Sequence, residues 1–251
     1  MSTSTSAPIP PTTQEPTMSE PARVVNVFFS PGKTFADINR RPSWWLPWLL
    51  ISILSVAFMF VVDQKIGFDQ ITRNEIAKSS RADQFEKLPE DQKERQMQIS
   101  TTVTKVFSYG SPVLNLIVFA IVAGVLMGTF NFGMGAEIPF GKALAVVIYA
   151  WLPKCLSAIL GIISLLVGVD PEGFNIRNPV ATNPAYFMSP MGNKFVYGIA
   201  SMFDIIAIWM IILMGMGFAA NSKLKRGTAI GVIVAWYVVI KLVGAGLAVA
   251  F

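Results

Sequence analysis

The sequence predicts an all-α fold: a polytopic integral membrane bundle of five transmembrane helices, with its amino terminus inside and its carboxyl terminus outside. Hydrophobic residues make up 53% of the 251-residue chain and charged residues only 14%, whereas about a quarter of a soluble domain is charged. Apolar segments recur that are long enough, at about 20 residues, to cross roughly 30 Å of hydrocarbon. The placement of Lys and Arg beside these segments indicates the orientation.

The first 22 residues are predicted to be a disordered tail. They contain four Ser, five Thr and five Pro and few large apolar side chains. Such a segment cannot bury enough apolar surface to offset the entropy lost on ordering. It also lacks the basic start and apolar core of a signal peptide.

Residues 23–42 are predicted to form a cytoplasmic interfacial helix. Ser30 is a suitable N-cap, and Pro31 suits the first helical position. Phe35 and Ile38 would lie on the apolar side, with basic residues meeting lipid headgroups. The alternative is a solvated juxtamembrane linker.

Residues 43–251 are predicted to form the membrane domain. Its first span begins at three tryptophans, a residue type that favours the membrane interface. A polar segment at 63–110 interrupts the domain; it carries eight basic and eight acidic residues, is divided by Pro89, and is predicted to be a solvated helical hairpin. The five predicted spans lie at about 43–62, 112–132, 140–169, 195–219 and 226–250.

The orientation follows from basic residues near short connectors. Those before span one and those between spans four and five fall on the same side of a five-span protein, so both regions are predicted to be cytoplasmic. The loop at 170–194 then lies on the opposite side. The hairpin weighs little in this comparison because it is long and electrically neutral.

Two backbone features are expected to shape the bundle. Gly124 and Gly128 have GxxxG spacing, which permits close helix packing, and packing within the chain is a simpler expectation than a dimer face. Pro153 lies inside span three. Because proline removes a backbone donor, it is expected to kink that helix.

Three charged residues lie within the predicted spans: Lys154, Asp204 and Lys241. Burial of a charged group in hydrocarbon costs about 2.5 to 3.5 kcal/mol on insertion scales. At 1.5 Å per residue, Asp204 and Lys241 should lie at similar depths. The favoured interpretation is a neutralising structural pair, and the alternative is an ion or proton site on a transport path.

The sequence predicts no catalytic residues, no cofactor and no metal site. It contains no histidine, which excludes Ser-His hydrolysis and HExxH zinc sites. Its one cysteine cannot form an intramolecular disulfide or a cysteine metal cluster. The basic residues flank apolar spans and do not form an aromatic-interleaved patch, so no nucleic-acid partner is expected. We therefore expect a protein that is not an enzyme.

Several of these features together resemble the Yip1 domain family, over roughly residues 24–250. The chain is more similar to the prokaryotic branch, so the Rab GTPase binding associated with eukaryotic members is not carried over. The resemblance implies a five-span membrane protein with a cytoplasmic amino terminus. The residues that carry it are Ser30, Pro31 and Phe35, then Tyr149 and Pro153 in YAWLP, then Phe203, Asp204, Trp209 and Gly215.

Two functions remain open from the sequence. The first is a scaffold that organises the membrane by binding lipid, membrane-protein partners or a second copy of itself. The second is a small transporter or channel that uses Lys154, Asp204 and Lys241. A transporter predicts a water-accessible cavity, whereas a scaffold predicts a closed core with paired charges. Either protein would reside in a membrane, and in a bacterium this would be the cytoplasmic membrane.

Overall fold

The described part of the chain, residues 17–79 and 82–250 of a computed structural model, is helical and contains no strand. This confirms the all-α class. Most of the predicted tail, residues 1–16, lies outside the described residues. The helices are α1 Glu20–Phe29, α2 Pro31–Arg40, α3 Trp45–Lys65, α4 Phe68–Lys78, α5 Ala82–Glu86, α6 Glu90–Tyr109, α7 Ser111–Met134, α8 Phe140–Trp151, α9 Lys154–Val167, α10 Lys194–Ala200, α11 Ile205–Ala220 and α12 Arg226–Ala250.

Four helical segments of the described chain are long and apolar enough to cross a membrane. They are Trp45–Lys65, Ser111–Met134, Phe140–Val167 and Arg226–Leu247. A fifth span results if the bent pair Lys194–Phe203 and Ile205–Ala220, which meet at 56°, is taken as one crossing. The multi-span architecture predicted from the sequence is therefore confirmed, with one span broken near its middle.

The break between α8 and α9 lies at the predicted proline. α8 ends at Trp151, Leu152 and Pro153 follow, and α9 begins at Lys154. The amide of Cys155 donates to the carbonyl of Leu152 at 2.9 Å, a tight local bond at the start of α9. Because proline has no N–H to donate, the regular helical pattern cannot continue through this position.

The centre of the bundle is α8. Every residue from 143 to 150 is buried, as expected for a helix that is apolar all round. It packs against α7, α11, α3 and the amino-terminal helices. One large core therefore joins the first helices of the chain to its membrane spans.

The amino-terminal segment forms two helices, α1 and α2, that dock onto the bundle. Pro31 opens α2 as predicted, although the Ser30 hydroxyl makes no capping bond. Phe35 and Ile38 are fully buried in the core, so the apolar side of α2 faces protein where the sequence suggested lipid. Gly217 of α11 leaves room for the Phe35 ring, because a Cβ atom at this position would lie only 3.0 Å from that ring.

Close helix contacts occur at glycines other than those of the GxxxG pair. A Cβ atom on Gly215 of α11 would come within 2.5 Å of Ile230 on α12, and one on Gly161 of α9 within 2.7 Å of Phe58 on α3. A Cβ atom on Gly124 or Gly128 would meet nothing within 4 Å. The expectation that this pair packs within the chain is wrong, because α7 turns these glycines away from its neighbours; packing against a second copy stays a prediction.

The polar segment between spans one and two is only partly solvated. α6 buries no residue, but α4 buries Phe68, Ile71, Thr72 and Asn74. The Asn74 amide donates to the carbonyls of Pro171 and Phe174, at 2.8 and 3.1 Å. α4 is therefore fixed to the loop that follows α9.

Candidate functional site: an amphipathic cavity

A cavity of about 1230 Å³ lies between α7, α11 and α12. The lining residues of these three helices lie within 118–126 of α7, 207–214 of α11 and 233–245 of α12, and they recur at helical spacing, so each helix turns one face inward. α10 and the junction of α8 and α9 also contribute lining residues. Ile121 and Ile240, on two of these walls, are 60% and 61% exposed. The cavity is large against the roughly 300–1,000 Å³ of typical small-molecule sites.

The mouth of the cavity is polar and is built by α4 and the loop at 170–194. The Arg177 guanidinium pairs with the Glu75 carboxylate at 2.7 Å. Lys78 Nζ donates to the Phe174 carbonyl at 3.3 Å, and burial lowers the pKa of this lysine from its usual 10.5. These contacts hold the loop in place over the entrance.

Asp204 lies at the break between the two halves of the bent span and caps α11. One of its carboxylate oxygens accepts from the amides of Ile206 and Ala207, at 2.9 and 3.0 Å. The other accepts from the Thr182 hydroxyl at 2.7 Å and the Asn183 amide at 3.3 Å. A carboxylate at a helix N-terminus is favoured by the helix dipole and satisfies free N–H groups.

The predicted charge cluster is assembled, but without a direct ion pair. Lys154, Asp204 and Lys241 all line the cavity. Within the described part of the chain, neither lysine makes a hydrogen bond or an ion pair with a protein group. Lys241 Nζ lies 5.7 Å from the centre of the Tyr237 ring. Asp204 therefore obtains its partners from the helix end and the loop.

The other residues of the sequence pattern occupy structural positions around the amino-terminal helices and the spans. The fully buried Tyr149 donates its hydroxyl to Glu20 of α1 at 3.0 Å. Trp209 packs edge-on against Phe28 of α1, with ring centres 5.5 Å apart. Pro153 breaks span three, Gly215 allows α11 to approach α12, and Phe203 is exposed.

Thr182 and Asn183 are residues of this site that the sequence did not predict. Both are buried, and both donate to Asp204. They belong to a loop whose composition indicated only irregular structure. No local signal identifies them, because their role depends on the loop folding back to a residue 21 or 22 positions later.

The inner end of the cavity is closed by packed side chains. About one turn beyond its last lining residues, Phe130 of α7 stacks on Phe218 of α11 at 4.7 Å. At the same level α11 meets α12 through Gly215 and Ile230. The Trp236 indole of α12 donates to the Thr129 hydroxyl of α7 at 3.1 Å, which bridges the two walls. Among the described residues, the cavity thus has a polar mouth, an apolar end closed by side chains, and a wall that is exposed at Ile121 and Ile240.

Among the described residues, no group of three or more His, Cys, Asp or Glu side chains comes together that could hold a metal ion. The Yip1 domain matches residues 25–247, nearly the whole chain. No curated protein and no solved structure matches the chain.

Proposed function

From the premise that this chain belongs to the Yip1 domain family, we propose that it is a non-enzymatic, multi-pass membrane protein that organises the membrane. It does so by holding lipid or a membrane-protein partner in its cavity. The observation that carries the proposal is the cavity between α7, α11 and α12. An amphipathic space with a polar mouth and an apolar end suits a bound amphiphile or an apolar segment of a partner.

The orientation inferred from the basic residues belongs to the same proposal. With the amino terminus in the cytoplasm, the loop at 170–194 and the cavity mouth face the other side of the membrane. The docked pair α1 and α2 then lies at the cytoplasmic end. In a bacterium the membrane would be the cytoplasmic membrane.

A small transporter is the second candidate, and a specific observation favours it. The span at Lys194–Phe203 and Ile205–Ala220 is broken beside Asp204, and broken helices at cavities recur in transporters. Transport through this site would require the Phe130 and Phe218 stack to open. The packed core beyond the cavity favours binding over passage.

The two candidates are separated by measuring proton and ion flux in proteoliposomes that contain wild-type protein or Asp204→Asn. The proposal expects no protein-dependent flux from either. Flux that is present in the wild type and lost in Asp204→Asn, at equal folded protein, would overturn it in favour of transport.

A second measurement tests occupancy directly. A photo-crosslinking amino acid is placed at Ile121, on the cavity wall, and at Phe132, which is 93% exposed on the same helix and lies outside the cavity lining. The proposal expects a discrete lipid or protein adduct at Ile121 that Phe132 does not produce. Equal, diffuse labelling at both positions would contradict it.

A further inference from the structure

We infer that the cavity is a binding site for one anionic phospholipid, with the phosphate held by Lys154 and Lys241 and the acyl chains lying against α7, α11 and α12. This inference rests on the proposed function and deepens it by naming the class of ligand. The occupant is a lipid drawn from the bilayer, since the wall that bears Ile121 and Ile240 is exposed.

The charge around the cavity favours an anion. Five cationic side chains line it against two carboxylates, Glu75 and Asp204. Arg177 is paired with Glu75, and Lys78 donates to a backbone carbonyl, so these two cations already have partners. Lys154, Lys241 and Lys194 at the start of α10 have no hydrogen-bonding or ion-pairing side-chain partner within the described residues. The ammonium groups of Lys154 and Lys241, which lie within the spans, each offer donors to a phosphate.

Asp204 does not oppose this assignment. Its two oxygens already accept four hydrogen bonds, from the amides that begin α11 and from the side chains of Thr182 and Asn183. Its charge is therefore stabilised by groups other than the lysines. Two lysines beside one carboxylate leave a net positive charge where a single phosphodiester can bind, and basic pockets between transmembrane helices are known to take lipid headgroups.

The cavity changes from apolar at its closed end to charged toward its mouth, as a phospholipid changes from its acyl chains to its headgroup. Along α12 the lining passes from Ile233 at the closed end, through Trp236, to Lys241 nearer the mouth. Along α11 it passes from Met214 to Asp204 in the same sense. Apolar surface therefore lies deep and charge lies toward the mouth, as a lipid with its headgroup outward requires. A free phosphate ion would leave the apolar part of the cavity unused.

The test uses full-length protein, delipidated in detergent and incubated with phosphatidylglycerol or with phosphatidylcholine of the same acyl chains. Native mass spectrometry counts the bound lipid. We expect one phosphatidylglycerol per chain, retained at least about tenfold more tightly than phosphatidylcholine, a difference of about 1.4 kcal/mol. Both lipids carry the phosphate, but choline adds a positive charge that the lysines of the cavity repel, whereas phosphatidylglycerol stays anionic. Equal retention of the two lipids would overturn the inference.

The headgroup contact is tested with the double variant Lys154→Gln/Lys241→Gln. It should bring phosphatidylglycerol retention down to that of phosphatidylcholine. The matched control is Lys223→Gln/Lys225→Gln, which removes two exposed lysines of the connector outside the cavity and should change nothing. Retention that survives the first variant, or falls equally in both, would contradict the assignment.

Occupancy of the cavity is tested near its mouth, on α12. Gly244 lines the cavity and has nothing within 4 Å of a Cβ position, so Gly244→Phe adds a ring to the cavity with little strain on the fold. Gly246 is equally open but lies outside the lining, and Gly246→Phe is its control. Only Gly244→Phe should reduce the bound lipid. A larger loss of bound lipid in Gly246→Phe than in Gly244→Phe, or no loss in either variant, would contradict the cavity as the lipid site.

Two further results separate this inference from the proposed function. Displacement of phosphatidylglycerol by millimolar glycerol phosphate would make the ligand a free phosphate anion and overturn the lipid assignment. A protein adduct at Ile121 with no lipid preference would overturn it in favour of a partner helix, and would leave the proposed organising function standing. Flux lost in Asp204→Asn would instead overturn the proposed function itself.

Discussion

Arg23 and Asp37 form an ion pair that is sealed inside the protein. Arg23 Nε donates to Asp37 Oδ2 at 2.7 Å, and the two side chains are 0% and 6% exposed. Arg23 also pairs with Glu20 at 3.1 Å, and Glu20 accepts from the Tyr149 hydroxyl of α8. The network therefore joins α1 to α2 and both to the centre of the bundle.

Removing one member of this pair should destabilise the protein strongly. We expect Arg23→Met to lower the free energy of unfolding by about 3–5 kcal/mol, because it leaves Asp37 buried and unpaired. The double variant Arg23→Met/Asp37→Leu should recover much of that loss. Thermal unfolding in detergent, followed by tryptophan fluorescence, measures both.

An exposed pair supplies the control for this prediction. Lys93 of α6 pairs with Glu86 and Glu90, whose side chains are 77% and 83% exposed. Lys93→Met should cost less than about 1 kcal/mol. If Arg23→Met/Asp37→Leu proves no more stable than Arg23→Met, the stability lost in Arg23→Met comes from packing and not from the unpaired charge of Asp37.

The glycines of the spans should respond oppositely to alanine. Gly215→Ala places a Cβ atom 2.7 Å from the Ile230 backbone, so α11 and α12 must separate, at a cost of about 1–3 kcal/mol. Gly124→Ala and Gly128→Ala meet open space and should be neutral or stabilising by about 0.5–1 kcal/mol. Unfolding midpoints in detergent distinguish the two groups.

The same variants test the remaining role of the GxxxG pair. If α7 packs against a second copy through Gly124 and Gly128, alanine there should weaken self-association in detergent or bilayers. Analytical ultracentrifugation would detect the change. Unaltered association would leave these glycines without a packing role.

Asp204 should be replaceable by asparagine but not by alanine. Asn is as good an N-cap as Asp, so Asp204→Asn keeps the bonds from the amides of Ile206 and Ala207, whereas Asp204→Ala loses them and about 1–2 kcal/mol. Folded yield after extraction and thermal unfolding measure the difference.

Neutralising a lysine should not rescue Asp204→Ala. The carboxylate is held by the start of α11 and by Thr182, and it makes no direct ion pair with Lys154 or Lys241. Rescue by Lys154→Gln or Lys241→Gln would instead support the neutralising pair that the sequence favoured. The control is Thr182→Val, which removes one of the same carboxylate's partners and should show an intermediate loss.

Asn74→Ala should release the loop over the cavity mouth. It removes two hydrogen bonds, to the carbonyls of Pro171 and Phe174, and each such bond contributes about 0.5–1.5 kcal/mol. Hydrogen exchange in residues 171–178 should accelerate by roughly five- to a hundredfold. The control Gln92→Ala, on the exposed face of α6, should leave this exchange unchanged, and equal acceleration by both would refute the contact.

Local patterns in the sequence were sufficient for the helices and the spans. Apolar length, the proline at 153 and the tryptophans before span one depend on neighbouring residues alone, and they correctly predicted an all-α membrane bundle with an interrupted third span. They also identified Lys154, Asp204 and Lys241, since a charge inside an apolar segment is conspicuous without knowledge of its surroundings.

Only the tertiary structure determined what those elements contact. The direction in which α7 turns Gly124, the protein core that receives Phe35, and the loop that brings Thr182 to Asp204 all depend on residues distant in the chain. The cavity also depends on residues distant in the chain, because α7, α11 and α12 form its walls and a loop and α4 form its mouth. A single sequence specifies periodicity along each helix, whereas a site arises from how several helices are rotated against one another.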